Sequence, residues 1–523
     1  MRLPIVLTFL TRAIFGLCLC VDLTAQAPQQ QEQPPEIAEF MAARRIPEIP
    51  ARLKELQRIK AAYPQSYISE LIDMALLDAA SRNADTFDGL LKAQSEILNA
   101  SKAEYRPMML SVAATLLIEH EKAAAFPKED ALKAIRDYKS EGMKALASPE
   151  FMEALNKKVP EGERGAAIDM IKGRFEIPLS RALLMNGDGK TALKTLEEYG
   201  KTGARDASYY SVLGKAYSDQ KRDAEALEAF FEAAVGGDAE AIESAKALYA
   251  KLNDGDAGFE DVLERRQARL PFHPEAFKAP ADWKGKVVLA ELFTGSECPP
   301  CVGADFAFDG LIDAYSTKYL AVLEYHLPIP RPDPMMNPAT EKRQNFYEIR
   351  NTPTVVIDGA KLTPGGGGRA AAQPLFDGYR SEIDPRLDSE PVVAISASAT
   401  LDGEKLTVKC SFSKAIEGAE YNVALVQTEE KYKGVNGIIF HKMVVRDIKT
   451  VEPSGAATVT FNIAESEKAT DEYITGFENT STRFKNFKFP VRHNKIDRGK
   501  LKAIVFVQDA NTKQVYNAYA VDV

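Results

Sequence analysis

The chain has 523 residues, 45% of them apolar and 27% charged, and its 66 Lys and Arg against 75 Asp and Glu leave a net charge of −9. That balance excludes a sequence-independent nucleic-acid surface, which needs clustered cations. The length suits about three domains.

At the start, Arg2 and Arg12 flank an apolar run whose core is Ala13 to Val21 and which ends near Leu23-Thr24-Ala25-Gln26-Ala27. Positive charge, a short apolar run and small residues read as a secretory signal peptide. Cleavage is expected after Ala25, because a cut after Ala27 would leave Pro28 next to it. Cys18 and Cys20 follow Leu17 and Leu19, where a lipoprotein signal needs a small residue. The rival, a retained anchor, needs a longer run to span a bilayer, and no later stretch approaches the ~18 apolar residues of a membrane span. With residues 1–25 removed, three cysteines remain, so the core does not depend on disulfides. The expected location is the periplasm or cell envelope of a bacterium, with the outer membrane or the extracellular space as alternatives. Residues 26–35 (QAPQQQEQPP) form a polar, proline-bearing leader, expected to be flexible.

Residues 36–276 are rich in Ala, Leu, Lys and Glu and carry helical periodicity. Tyr210, Leu213, Gly214, Tyr217, Ala226, Phe230 and Ala233 fall on the spacings of a tetratricopeptide (TPR) unit, and Glu176, Leu179, Ser180, Leu183, Ala192, Leu196 and Tyr199 stand 34 residues earlier. Small Ala226 and Ala192 let paired helices approach, while Phe230 and Leu196 fill the groove between them. The region therefore resembles a TPR-like α-solenoid, most clearly over 174–236, with a plain helical bundle as the alternative. Such a surface serves contacts with a protein partner rather than chemistry.

Prolines 271, 274 and 280 mark the passage to residues 277–388. There the apolar run Val287 to Phe293 leads into Thr294-Gly295-Ser296-Glu297-Cys298-Pro299-Pro300-Cys301, followed by helical spacing at Ala304, Phe308, Leu311, Ile312 and Tyr315. Strand, tight turn with Cys-x-x-Cys, then helix is an order suited to thiol–disulfide chemistry. Unpaired N–H groups and the positive end of the helix dipole stabilise a thiolate at the first turn. A zinc site would need two more ligands, and only Cys410 and five scattered histidines are available, so no metal is expected. No cofactor is called for. An inert structural disulfide remains the competing reading. Tyr319 to His326 reads as a second strand, Thr340 to Ile349 as a helix, and Asn351 to Gly359 as a proline-led strand in which Pro353 follows Thr352, a position suited to a cis proline whose neighbouring backbone meets an extended substrate. Gly365 to Gly368 has no following Lys-Ser or Lys-Thr and reads as a loop, not a phosphate cradle.

This succession resembles the thioredoxin superfamily, and Glu291-Leu292-Phe293-Thr294-Gly295 with Tyr325-His326 and Arg343-Gln344 is similar to secreted thioredoxin-like proteins, the Omp28-related ones among them. The resemblance covers roughly residues 277 to 385. It implies an α/β thioredoxin fold with Cys298 and Cys301 as the redox pair and Pro353 as the cis proline, Thr352 beside it meeting the substrate backbone. Two departures stand out. Glu297 occupies the place of the usual Trp, and an acidic neighbour raises a thiolate pKa. The usual buried acid falls on Leu292, so Glu291 fills that role only if the turn is one residue longer. His326, at the end of the second strand, either approaches Cys298 or is a structural histidine. Glu291, Glu297 and His326 are therefore candidates for tuning the thiol pKa.

Residues 389–523 carry a period of two. Seven strands, 392–399, 405–412, 421–428, 438–445, 457–463, 502–508 and 515–520, with turn signals between them, suggest an all-β immunoglobulin-like sandwich with Cys410 in its core. Residues 465–498 form a long polar insertion, either a binding loop or a disordered one. Two functions are compatible with these features. One is an exported thiol–disulfide oxidoreductase whose partners are protein thiols and disulfides, with Cys298 as the more solvent-exposed, attacking thiolate and Cys301 as the resolving thiol. The other is a noncatalytic envelope scaffold with a structural Cys298–Cys301 disulfide.

Overall fold

A computed structural model describes residues 34–523 apart from 202, 204, 363, 364, 453 and 454. The expected signal peptide, Cys18, Cys20 and nearly all of the leader lie outside the described residues, as does most of the Pro453-Ser454-Gly455 turn. The chain divides into two compact units between Phe259 and Glu260.

Helices build the first unit: α1 (Pro35–Ala43), α2 (Ile49–Ala62), α3 (Ser69–Arg82), α4 (Phe87–Ala100), α5 (Arg106–Glu119), α6 (Lys128–Ala145), α7 (Pro149–Lys158), α8 (Arg164–Met185), α9 (Gly189–Tyr199), α10 (Ala207–Asp219), α11 (Asp223–Val235) and α12 (Ala239–Leu252). Several starts are fixed by side chains that accept an otherwise unpaired N–H: Thr86 from Gly89, Ser148 from Phe151, Asp188 from Thr191, Asp206 from Tyr209 and Asp238 from Ala241. The 34-residue spacing appears in the elements themselves, since α9 begins at 189 and α11 at 223. Ala192 and Ala226 are fully buried, and a Cβ at Gly214 would lie 2.7 Å from the Phe230 ring, so the small residues are what let the helices close.

The second unit contains α13 (Phe259–Gln267), the strands β1 (Val288–Thr294), β2 (Leu320–His326), β3 (Thr354–Ile357), β4 (Ala360–Lys361), β5 (Ile395–Asp402), β6 (Lys405–Phe412), β7 (Ala419–Lys431), β8 (Phe440–Val451), β9 (Ala456–Asn462), β10 (Leu501–Asp509) and β11 (Val515–Asp522), and the helices α14 (Val302–Ala314), α15 (Pro338–Tyr347), α16 (Ala372–Leu387) and α17 (Ile463–Thr480). One eight-stranded mixed sheet has the order β11-β10-β7-β8-β2-β1-β3-β4, and a three-stranded sheet has the order β5-β6-β9. β1 and β2 run parallel, β3 is antiparallel to β1, and β8 joins β2 in parallel at Glu324 and Val444.

Side chains alternate across the central strands. Glu291 and Phe293 meet Arg343 and Tyr347 of α15, whereas Thr294 meets Asp305 of α14 on the other face. Phe308 of α14 packs edge-on against Tyr379 of α16 at 5.7 Å, so those two helices share a face. Trp283 anchors the lead-in, donating from Nε1 to Leu387 O at 3.0 Å and packing edge-on against Tyr319.

Three expectations are corrected. All seven C-terminal strands form, but residues 389–523 are not a self-contained sandwich: β7, β8, β10 and β11 continue the sheet of β1 and β2. The cause is two-sided burial. Tyr421, Val423, Leu425, Ala503, Val505 and Val507 pack against Leu406, Val408, Cys410 and Phe412 of the small sheet, while Ala424, Val426, Ile504 and Phe506 join the core around β1 and β2. The boundary at 276/277 also moves earlier, because Leu270 and Phe272 pack into that same core. Finally, the 465–498 stretch is not all loop, since α17 occupies its first half, with Asn462 accepting the N–H of Glu465.

Candidate redox site

The strand β1 delivers the chain to a turn that closes at Gly295, where a Cβ would lie 3.1 Å from Ile329 O. Cys298 and Cys301 form a disulfide across the 3-10 turn Pro299–Cys301 that opens α14. The missing N–H groups of Pro299 and Pro300 cost nothing there. Thr352–Pro353 and Ile329–Pro330 are both cis. The Thr352 hydroxyl stands 3.3 Å from Cys298 Sγ and 2.9 Å from Ile329 O, so its single proton serves one of them at a time.

Cys298 is not the exposed sulfur anticipated from its place before the helix: both cysteines are 0% exposed. Two segments distant in sequence account for this. The glycine run docks on the turn, Gly367 N donating to Pro300 O at 2.7 Å and Gly303 N to Gly367 O at 2.8 Å. A Cβ on Gly366 would lie 2.7 Å from Pro300 O and 3.0 Å from Pro353, so only glycine fits. From the other side, the tip of the β7–β8 hairpin covers the turn, with Asn436 N donating to Ser296 O at 3.0 Å and Asn436 Nδ2 to Gly295 O at 3.2 Å.

A cluster of buried titratable groups lies on the α14 face. Asp333 accepts from Ser296 N at 2.6 Å, from Met335 N at 2.8 Å and from His326 Nδ1 at 3.0 Å. Burial alone would raise its pKa, but His326 and the two N–H groups outweigh this and bring it down to about 2. His441 packs edge-on against His326 at 4.9 Å and donates from Nε2 to Tyr432 O at 3.0 Å. Burial, with His326 beside it, pushes its pKa down to about 3. Asp305 accepts from the Thr294 hydroxyl at 2.9 Å, and burial lifts it to about 7. Asp309, 3.4 Å from Lys442, is lifted to about 7 for the same reason. Glu324 is raised well above its ordinary value by burial and then by Asp305 and Asp309. Ser296 Oγ, Glu324 Oε1, His326 Nε2 and His441 Nδ1 have no hydrogen-bond partner among the described residues.

The candidate tuning residues thus separate. His326 is held by Asp333 in this cluster. Glu297 sits at the rim, its pKa raised by partial burial and by Asp333, while its carboxylate accepts the Val435 N–H. Glu291 does not face the Cys298–Cys301 turn. It points to the α15 face, where Arg343 Nε and Nη2 bind its two oxygens at 2.7 and 2.9 Å, and Tyr325 and Tyr347 donate to it at 2.9 and 2.7 Å. Sequence reasoning missed Asp305, Asp309, Glu324, Asp333 and His441. Asp305 follows the N-cap Cys301 by four residues, in the first turn of α14, and Glu324 precedes His326 by two on one strand, so periodicity carried a signal for both. Among the described residues no group of three or more His, Cys, Asp and Glu is arranged to hold a metal ion. No described helix is long and apolar enough to cross a membrane.

No family model and no curated protein matches the chain. Among solved structures, an Agrobacterium tumefaciens protein from structural genomics is similar at 18% identity and a TM-score of 0.29, over 46% of this chain and 95% of its own. HBP35 of Porphyromonas gingivalis is similar at 13% identity and 0.30, over 45% of this chain and 74% of its own. The TPR2AB domain of yeast Sti1 in its pHSP90 complex is similar at 14% identity and 0.16, over 45% of this chain and 98% of its own.

Proposed function

We propose that the chain is an exported thiol–disulfide oxidoreductase of the bacterial envelope, with a thioredoxin-like redox region and a TPR-like arm that engages a protein partner. The observation that carries this reading is the Cys298–Cys301 pair at the start of α14, with the Thr352 hydroxyl 3.3 Å from Cys298 Sγ and Pro353 beside it. In the reducing direction the Cys298 thiolate attacks one sulfur of a partner disulfide. A mixed disulfide forms, and the departing partner thiolate takes a proton. Cys301 then loses its proton and attacks Cys298 Sγ, expelling the second partner sulfur. The partner gains two electrons and two protons, and the protein dithiol becomes a disulfide; oxidation runs the same steps backwards. The helix N-terminus and the Thr352 O–H favour the Cys298 thiolate, while Glu297 opposes it.

The test is trapping. Reduced Cys301→Ser should accumulate a stable mixed disulfide with a model disulfide, and Cys298→Ser should not; failure of Cys301→Ser to trap sinks the reading.

The full burial of Cys298 favours a second reading, a noncatalytic scaffold stapled by a structural disulfide. The reduction potential separates the two, because structural disulfides lie below about −300 mV and exchanging ones above.

A further inference from the structure

Three segments form a rim beside the disulfide turn: the proline loop after β2 and the β7–β8 hairpin tip, which bond to it, and residues 481–493 after α17, which bond to the proline loop. They are tied together. Arg483 Nη2 donates to Pro330 O at 3.0 Å, His493 N to Pro334 O at 3.2 Å, and the Tyr432 and His493 rings stand 4.5 Å apart. The rim is also bonded to the redox turn, because Ile329 O, next to Pro330, is a partner of the Thr352 hydroxyl that reaches Cys298.

The charges on these segments are unevenly satisfied. Lys488 pairs with Glu478, and Arg492 with Asp471 and Glu478, on the side facing α17. Arg331, Lys433 and Lys485 are exposed and make no hydrogen bond or ion pair among the described residues. Arg483, also exposed, bonds only a carbonyl and lies over the Phe484 ring at 5.0 Å. Four cations without a carboxylate partner thus lie on these three segments of a chain of net charge −9. Among the rim's carboxylates, Asp333 is buried and held by His326, Glu430 is held by His493 and Arg446, and Glu297 is close enough to Arg331 to be influenced by it. Two large aliphatic side chains stand out from the same segments, Val435 at 69% and Val491 at 58% exposed. Cations framing exposed apolar groups fit a polypeptide that brings acidic residues and an apolar anchor to the disulfide.

We propose that this rim recruits the redox partner, and that the partner is an acidic polypeptide segment bearing the disulfide or thiols to be exchanged. The inference rests on the exchange reading and adds the chemistry of the substrate. Complementary charge acts chiefly on encounter, raising association rates by roughly 10- to 10³-fold, and it fades with salt.

The full-length reduced protein is mixed with two disulfide-cyclised peptides that share a Cys-containing core and are flanked by Glu in one and by Lys in the other. The neutral hydroxyethyl disulfide is the reference. At low ionic strength the acidic peptide should be reduced at least about tenfold faster than the basic one, and the ratio should collapse toward one in 1 M salt, where the Debye length is about 3 Å. In K433E/K485E, which removes no described bond, the ratio should fall to about one or invert, and R331E should lower it further. Equal rates for the two peptides, with hydroxyethyl disulfide still reduced, overturn the acidic-partner inference alone. A protein inert toward hydroxyethyl disulfide overturns the exchange reading and this inference with it.

Discussion

Glu291 and Glu324 are buried carboxylates on adjacent strands of one sheet, and their surroundings are opposite. Glu291, on the α15 face, is bound by both arms of Arg343 and by two tyrosine hydroxyls, and Tyr347 is in turn held by Gln508 Nε2 at 2.8 Å. Glu324, on the α14 face, has Asp305 and Asp309 for neighbours and one oxygen without a partner. A buried charge persists only when it is paired and hydrogen-bonded; otherwise the group keeps its proton. One face of the sheet therefore holds a fixed ion pair, and the other, beneath α14, holds Asp305, Asp309 and Glu324, whose burial favours the protonated form.

The largest expected effect comes from breaking the satisfied side. Arg343→Met should destabilise the second unit by about 3–5 kcal/mol, because it leaves Glu291 buried and unpaired. Adding Glu291→Leu should recover much of that loss. Trp283 is the only tryptophan and lies in the second unit, so its fluorescence in urea titrations reports this unit selectively. If Arg343→Met unfolds within 1 kcal/mol of wild type, the pair is not a linchpin of the α15 face.

How much of this was legible depends on the range of the signal. The Cys-x-x-Cys turn, Thr352-Pro353 and all seven C-terminal strands were readable because turn chemistry and period-two alternation are local. The fusion of the C-terminal strands to the β1–β2 sheet was not read, although Val423-Ala424-Leu425-Val426 and Ile504-Val505-Phe506-Val507 carried it. Such unbroken apolar runs mark strands buried on both faces, and here the two faces feed two cores. Glu291 was misassigned because sequence spacing does not say to which face a strand residue points. Asp333 and His441 reach the site from a proline loop and a distant strand, with no periodicity linking them to Cys298. The burial of Cys298 depends on Gly366 and Asn436, both recruited by tertiary docking.

The unsatisfied side predicts a pH dependence. Asp305 is raised from 3.8 to about 7, so the stability it contributes is full below pH 3.8 and is lost as pH rises toward 7, because the unfolded chain releases its proton first. His441, lowered from 6.5 to about 3, acts oppositely, losing stability as pH falls from 6.5 toward 3. Comparison with Asp305→Asn removes the first contribution and leaves the second. Between pH 4 and 7 the stability of wild type relative to that variant should decline, with a slope of at most about 1.4 kcal/mol per pH unit. Parallel curves for the two proteins would show that Asp305 titrates normally.

The smallest effect is expected at Glu324 itself. Burial, with Asp305 and Asp309 beside it, raises its pKa and so favours the protonated acid in the folded protein, and glutamine is a neutral group of nearly the same shape. Glu324→Gln should therefore change stability at pH 7 by less than about 1 kcal/mol, far less than Arg343→Met on the opposite face. The sign should then depend on pH. Wild type holds a buried proton that its unfolded chain releases first and the variant has none, so the variant should gain on wild type as pH rises from 4.5 to 7. Urea midpoints at the two pH values measure this. A cost of 3 kcal/mol or more at pH 7 would mean that Glu324 is an ionised, paired carboxylate like Glu291, and the contrast between the two faces would disappear.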